Sequence, residues 1–99
     1  MENLQAEELQ EEELEQVSGG VSIVEAIYDT SGCLIIIFYY SSSDTKDQIM
    51  GKVNYGFSAR SVVLSTAQKS EISSHIREGY GGVLKVTIGP DGSLSVVSY

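Results

Sequence analysis

The composition of the sequence changes abruptly at Gly19-Gly20, and this change limits which part of the chain can fold around a hydrophobic core. Residues 1–20 hold seven of the chain's 14 acidic residues and no Lys or Arg. Residues 21–99 keep seven acids against six bases and are rich in β-branched and aromatic side chains. We therefore expect two units: an acidic segment, 1–20, and a near-neutral unit, 21–99, that is large enough for one small hydrophobic core.

Charge and hydropathy argue against several function classes. A near-neutral unit has no basic patch with which to attract nucleic acid or an anionic membrane, so we expect no nucleic-acid partner. The longest apolar run, residues 33–40, is far shorter than the roughly 20 residues of a membrane-spanning helix. The acidic start also differs from a secretory signal, which has a cationic start and a continuous apolar run.

The acidic segment can form an amphipathic helix, although a weak one. Four of its apolar side chains fall within one stripe about 140° wide on a helical wheel. They are Leu9, Ala6, Val17 and Leu14. Glu13 falls inside this stripe, and most of the other glutamates lie opposite it. Glutamates four residues apart repel each other, and a helix of this length is marginal in water. We expect the segment to be disordered or nascent-helical when free, and to fold against a groove in a partner.

The end of this segment resembles double-glycine leader peptides, which precede bacteriocins, peptide pheromones and some modified peptides. Those leaders end in Gly-Gly and carry aliphatic residues at fixed distances before the cut, commonly with a Glu-Leu pair. Here the residues 3, 6 and 11 positions before Gly20 are Val17, Leu14 and Leu9. Glu13 and Leu14 supply the pair.

The resemblance implies a partner and a cleavage site. The partner is the cysteine-peptidase domain of an ABC exporter, which would cut after the second glycine of Gly19-Gly20-Val21. The implied recognition residues are Leu9, Glu13, Leu14 and Val17. The aliphatic side chains would fill hydrophobic pockets on the peptidase, and the glutamate would meet a polar or cationic group. Such a chain is synthesised in the bacterial cytoplasm and secreted after leader removal.

A second interpretation of the segment remains open, namely an acidic, disordered tail joined to the folded unit by a glycine hinge. Gln10 stands where double-glycine leaders often have serine. Gly-Gly alone carries no signal, because Gly81-Gly82 repeats it without the aliphatic spacing. The leader hypothesis therefore depends on the full spacing before Gly20.

Residues 21–99 show the pattern of an α+β fold with a small antiparallel sheet and one or two short helices. Residues 21–28 and 33–40 are runs of β-forming residues around a Gly-containing turn, which predicts a hairpin. Residues 83–88 and 93–99 flank Gly-Pro-Asp-Gly, which predicts a second hairpin. In that hairpin we expect Ser98 on the solvated face.

Two helices are predicted between the hairpins. Residues 70–78 carry Ile72 and Ile76 on one face and stop at the following glycine. A shorter helix would follow Asp44, its expected cap, although Gly51 weakens it.

The chain offers little for catalysis. Cys33 and His75 are its single cysteine and single histidine. A Cys–His nucleophile pair is one interpretation, but a cysteine at the start of a strand is better explained as a small buried hydrophobe. No Cys/His set has metal-ligand spacing. Gly79–Gly82 follows a helix instead of opening one, which argues against a phosphate cradle. We expect no enzyme activity, no cofactor and no metal.

Three functions fit a leader followed by this cargo. Residues 21–99 could be a bacteriocin-like or signalling polypeptide, a folded secreted effector or binding module, or a precursor modified at Ser and Thr. One cysteine allows at most one thioether ring, so a multi-ring lantibiotic is excluded. The length and turn pattern favour a folded module over a simple pore-forming peptide. The extracellular target stays unknown.

Overall fold

The computed structural model describes residues 20–99, which form a four-stranded antiparallel sheet and two helices. In chain order the elements are β1 (Ser22–Tyr28), β2 (Leu34–Tyr40), α1 (Lys46–Ser58), α2 (Thr66–Ser74), β3 (Gly82–Ile88) and β4 (Leu94–Ser98). The strands lie in the order β1-β2-β3-β4, each antiparallel to its neighbour. The predicted α+β fold is confirmed. The predicted disordered or nascent-helical leader lies outside the described residues.

The first hairpin forms where the sequence predicts it, and Asp29 organises its turn. The Asp29 carboxylate accepts hydrogen bonds from the Ser31 hydroxyl at 2.7 Å and from the backbone N–H of Ser31 and Cys33, each at 2.9 Å. These donors, the Ser31 hydroxyl first, lower the pKa of Asp29. Gly32 has a φ of 91°, a left-handed conformation that glycine adopts without steric cost. The turn residues therefore specify the hairpin locally.

The second hairpin also forms as predicted, with one correction. Its turn closes through hydrogen bonds from Gly89 N–H to the Ser93 carbonyl and from Gly92 N–H to the Gly89 carbonyl. The placement of Ser98 on the solvated face is wrong. Ser98 pairs with Leu84 across the strands, and directly paired residues share a face. Ser98 therefore lies on the face that carries the core.

Helix α1 is longer than expected and has a different cap. Its N-cap is Thr45, not Asp44. The Thr45 hydroxyl accepts from Gln48 N–H at 3.2 Å, and the Gln48 side chain accepts from Thr45 N–H at 2.9 Å. This reciprocal capping box satisfies two backbone donors that would otherwise be unpaired. The helix continues through Gly51 to Ser58, because packing outweighs the weak helix propensity of glycine.

Helix α2 begins earlier than the sequence prediction. Ser65 caps it with Gln68 in a second capping box, so the helix starts at Thr66 instead of Ser70. It ends at Ser74, before the predicted stop. Ile72 and Ile76 are both buried, as their spacing predicts.

Both helices lie on one face of the sheet, and the hydrophobic core fills the space between the helices and the sheet. Helix α1 packs on β1 and β2. The buried side chains on the central strands are Leu34, Ile36, Phe38, Tyr40, Leu84, Val86 and Ile88. The rings of Phe38 and Phe57 lie 6.4 Å apart at the contact between strand and helix. A Cβ on Gly56 would sit 3.2 Å from the Phe38 ring, so a glycine allows this close approach.

The two glycines of α1 give a matched test of this packing. Gly51→Ala should raise the free energy of unfolding by about 0.5–1 kcal/mol, because a Cβ there meets nothing within 4 Å and alanine favours the helix. Gly56→Ala gains the same propensity but overpacks the contact with Phe38 and Ile23, typically at a cost of about 1–3 kcal/mol. Urea unfolding of both variants measures the difference. Equal stabilisation by the two substitutions would contradict the close approach.

Residues 21–99 should fold without residues 1–20. Every described strand and helix begins after Gly20, and the core cluster runs from Val21 to Ile88. We expect dispersed amide NMR signals and cooperative urea unfolding from the shortened chain. A random-coil spectrum in water would contradict this expectation.

Candidate functional site

At the predicted cleavage site an exposed residue is followed directly by a core residue. Gly20 is exposed, with a φ of 105°, and Val21 is completely buried. Strand β1 starts one residue later, at Ser22. The peptide bond between Gly20 and Val21 therefore connects the surface directly to the first core side chain. A peptidase can bind the residues on both sides of this bond only if the Val21 side chain leaves its buried position.

A buried carboxylate lies beside this joint. Asp44 is 2% exposed. Its Oδ2 accepts hydrogen bonds from Ser41 N–H at 2.8 Å and from the Ser41 hydroxyl at 3.1 Å. Its Oδ1 has no hydrogen-bond partner in the described part of the chain, and it lies 3.9 Å from where a Cβ on Gly20 would be. One half of the carboxylate is thus fixed, and the other half faces the joint unpaired.

The loop that follows β2 holds Asp44 in this position. Asp44 N–H donates to the Ser41 carbonyl at 3.1 Å, which closes a turn. Thr45 then starts α1 with its capping box, and Lys46 N–H donates to the Glu78 carboxylate at 3.0 Å. Asp44 lies just before the N-terminal end of α1, where the helix dipole favours a negative charge. These contacts anchor the backbone on both sides of the carboxylate.

A second buried charge lies on α1. Lys52 is fully buried, and its Nζ has no hydrogen-bond partner among residues 20–99. The ammonium lies 5.2 Å from the centroid of the Tyr55 ring, a cation–π distance. An ammonium without a hydrogen-bond partner is costly to bury. Sequence spacing could have revealed its position, because Lys52 shares a helix face with Ile49 and Gly56.

Replacing Lys52 tests whether this buried charge weakens the fold. Lys52→Met should raise the free energy of unfolding at neutral pH by about 1 kcal/mol, since the loss of the cation–π contact only partly offsets removal of the desolvated charge. Lys69→Met, at an exposed position on α2, is the matched control and should change stability little. A Lys52→Met protein that unfolds more easily would show that the ammonium has a stabilising partner.

The face of the sheet opposite the helices carries many apolar side chains, and no described element covers it. Its exposed large side chains include Ile27, Tyr39, Val97 and Tyr99. We call this surface the open face. One row of cross-strand neighbours on the open face consists of Glu25, Ile37, Lys85 and Val97. This row contains one acidic and one basic residue. An apolar sheet face of this kind commonly marks an interaction site.

The candidate catalytic pair does not form in the described structure. The Cys33 sulfur lies 3.5 Å from the Ser31 hydroxyl in the first hairpin turn, and no hydrogen bond there joins it to His75. Cys33 is half-buried, not fully buried as a core hydrophobe would be. Within residues 20–99 no group of three His, Cys, Asp or Glu side chains is placed to hold a metal ion. None of the helices there is long and apolar enough to cross a membrane.

The structure describes only two of the residues predicted for cleavage and leader recognition. Gly20 and Val21 are described, and their geometry is given above. The other predicted residues, Leu9, Glu13, Leu14, Val17 and Gly19, lie outside the described residues. Asp44 was expected as a helix cap, and nothing in its polar surroundings in the sequence distinguishes it as buried. Its role beside the joint becomes visible only in three dimensions.

Comparison with known proteins finds no matching family model, no similar curated protein and no similar solved structure.

Proposed function

We propose that this chain is the precursor of a secreted bacteriocin-like polypeptide. An ABC exporter with a cysteine-peptidase domain would recognise residues 1–20, cut after Gly20 and export the remainder. The observation that carries this proposal is the spacing of Val17, Leu14 and Leu9 before Gly20. The fold is compatible with it, because a cut at this bond removes no described strand or helix.

The two Gly-Gly pairs of the chain have different explanations. A Cβ on Gly82 would lie 2.7 Å from the Tyr99 carbonyl oxygen, and one on Gly81 would lie 3.1 Å from the Ser42 nitrogen. The fold therefore requires that pair. Gly20 also has a structural reason, since its φ is 105°. Support for a leader comes from the aliphatic spacing and not from Gly20 alone.

Cleavage of the folded chain requires a local opening. A double-glycine peptidase needs an extended backbone in a narrow channel, and two residues without side chains fit such a channel. The residue after the cut, Val21, is buried in the core. The exporter would therefore act before β1 docks, or on a state in which the start of β1 has separated from the sheet.

The cut can be tested with the peptidase domain of such an exporter and two substrates, the full chain and the peptide 1–30. Mass spectrometry should identify a product that begins Val21-Ser22-Ile23. Gly20→Val should block cleavage of both substrates, because a branched side chain does not fit a channel sized for glycine. The peptide excludes backbone strain in the folded chain as the cause. Normal cutting of the variant peptide would reject the proposal.

Recognition by the aliphatic stripe gives a second arm of the same experiment. Leu14→Ala and Val17→Ala should each weaken peptidase binding by about 1–3 kcal/mol, the scale of burying one aliphatic side chain. Glu11→Ala and Glu12→Ala are controls on the opposite helix face and should have little effect. Equal losses at all four sites would mean that the peptidase reads overall acidity.

A second candidate function is a folded secreted effector or binding module that uses the same leader. The open face favours it, because a ready-made apolar surface on a folded protein can bind a partner without refolding. A precursor modified at Ser and Thr is a further alternative, which the mass of the exported product would identify.

Lipid vesicles distinguish the module from a membrane-active peptide. Circular dichroism of residues 21–99 should show the same mixed sheet and helix signal with and without phosphatidylglycerol vesicles. Val97→Thr, on the open face, should weaken any activity on target cells at least about tenfold. Val63→Thr is the matched control, because Val63 is 87% exposed on the loop between the helices. A gain of helix on vesicles would favour the membrane-active polypeptide.

A further inference from the structure

We propose that cutting after Gly20 creates the missing partner of Asp44. Hydrolysis of the Gly20–Val21 bond consumes one water, leaves a carboxylate on Gly20 of the leader, and leaves an α-amino group on Val21. That amino group has an ordinary pKa of about 8, so it is mostly an ammonium at neutral pH. It binds Oδ1 of Asp44, which has no hydrogen-bond partner among residues 20–99 of the uncut chain, and makes a buried ion pair there. The inference rests on the proposed cleavage site.

Position is the first argument for this pair. Oδ1 of Asp44 lies 3.9 Å from where a Cβ on Gly20 would be. The Val21 nitrogen is two covalent bonds from the Gly20 Cα, a separation of about 2.4 Å. The new ammonium therefore forms no more than about 8 Å from the carboxylate oxygen, and movement of the freed chain end brings the two together. Once the leader is removed, this nitrogen can move while the buried Val21 side chain keeps the chain end in place.

The state of the carboxylate is the second argument. Asp44 is 2% exposed, and both protein donors that it does have, the N–H and hydroxyl of Ser41, go to Oδ2. A buried carboxylate oxygen without a donor destabilises the folded chain, and a cation with three N–H donors is the group that relieves this. An ion pair with hydrogen bonds is stronger in such an environment than at the surface.

The specificity of the chemistry is the third argument. Before the cut, the Val21 nitrogen is an amide with no charge and one N–H. After the cut it has a full positive charge and three N–H donors. Leader removal would therefore strengthen the attachment of β1 to the loop at residues 41–45.

A thermodynamic cycle tests the pair with the full chain and its cut form. Residues 21–99 are released from a ubiquitin-like fusion partner that ends in Gly-Gly and is removed by its own protease, which leaves Val21 first. Urea unfolding is measured for the full chain and for residues 21–99, each with and without Asp44→Asn. Asp44→Asn should lower the folding equilibrium constant of the cut form at least about tenfold more than that of the full chain.

Asp47→Asn is the matched control, since Asp47 is an exposed carboxylate three residues further along the chain. It should lower the folding equilibrium constant of both forms equally. Equal losses with Asp44→Asn in the two forms would overturn the proposal, as would failure of the wild-type residues 21–99 to fold.

Reactivity of the new amine gives a measurement that does not need the Asp44 variant to fold. Acetic anhydride near pH 7 should acetylate the Val21 α-amine of wild-type 21–99 at least about tenfold more slowly than that of the peptide 21–30. A rate equal to that of the peptide overturns the pair. These outcomes are separate from the proposed function. If the chain is cut after Gly20 but Asp44→Asn destabilises both forms equally, only the ion pair is rejected. If Asp44→Asn destabilises the cut form more but the cell never cuts the chain there, only the leader is rejected.

Discussion

The close packing of α1 on the first two strands is the contact on which the rest of the structure depends. Phe38 and Phe57 meet at this contact, and Gly56 brings the helix backbone close enough for them to do so. Helix α1 also fixes the loop before it, because Thr45 caps the helix directly after Asp44. The position of the buried carboxylate therefore follows from the same packing that builds the core.

The one-sided arrangement of the helices has a second consequence. A sheet with a single covered face usually alternates apolar and polar residues along each strand. Here β2 reads Leu-Ile-Ile-Ile-Phe-Tyr-Tyr, so both of its faces are apolar. The buried alternate residues fill the core, and the others supply the centre of the open face. Exposed loop side chains such as Val63 do not form a surface of this kind, because they do not continue across neighbouring strands.

Local chemistry explains which parts of the fold could be predicted from the sequence. Both hairpins were predictable, because Asp29 and the Gly-Pro-Asp-Gly segment are turn residues between runs of β-forming residues. The cap of α1 was misplaced by one residue and the start of α2 by four, because the capping boxes at Thr45 and Ser65 lie in polar stretches without an apolar period. Ser98 was assigned to the wrong face because the alternation of side chains between the two faces was not followed to the end of β4. For the candidate site, the cleavage joint at Gly20 stays a prediction from the sequence, and burial of Asp44 depends on contacts that no local pattern encodes.

The proposed cut after Gly20 places two demands on the joint that conflict in a rigid molecule. Cleavage needs an extended, accessible backbone around Gly20, whereas the fold buries the next side chain in its core. An unpaired carboxylate beside the joint makes the closed state of the uncut chain less favourable, which lowers the free energy needed to expose the bond. On the proposed pairing, the cut itself reverses this effect, because the ammonium then supplies the donors that the buried carboxylate oxygen lacked. On this proposal the same buried carboxylate favours opening of the joint before the cut and closure of the chain end after it.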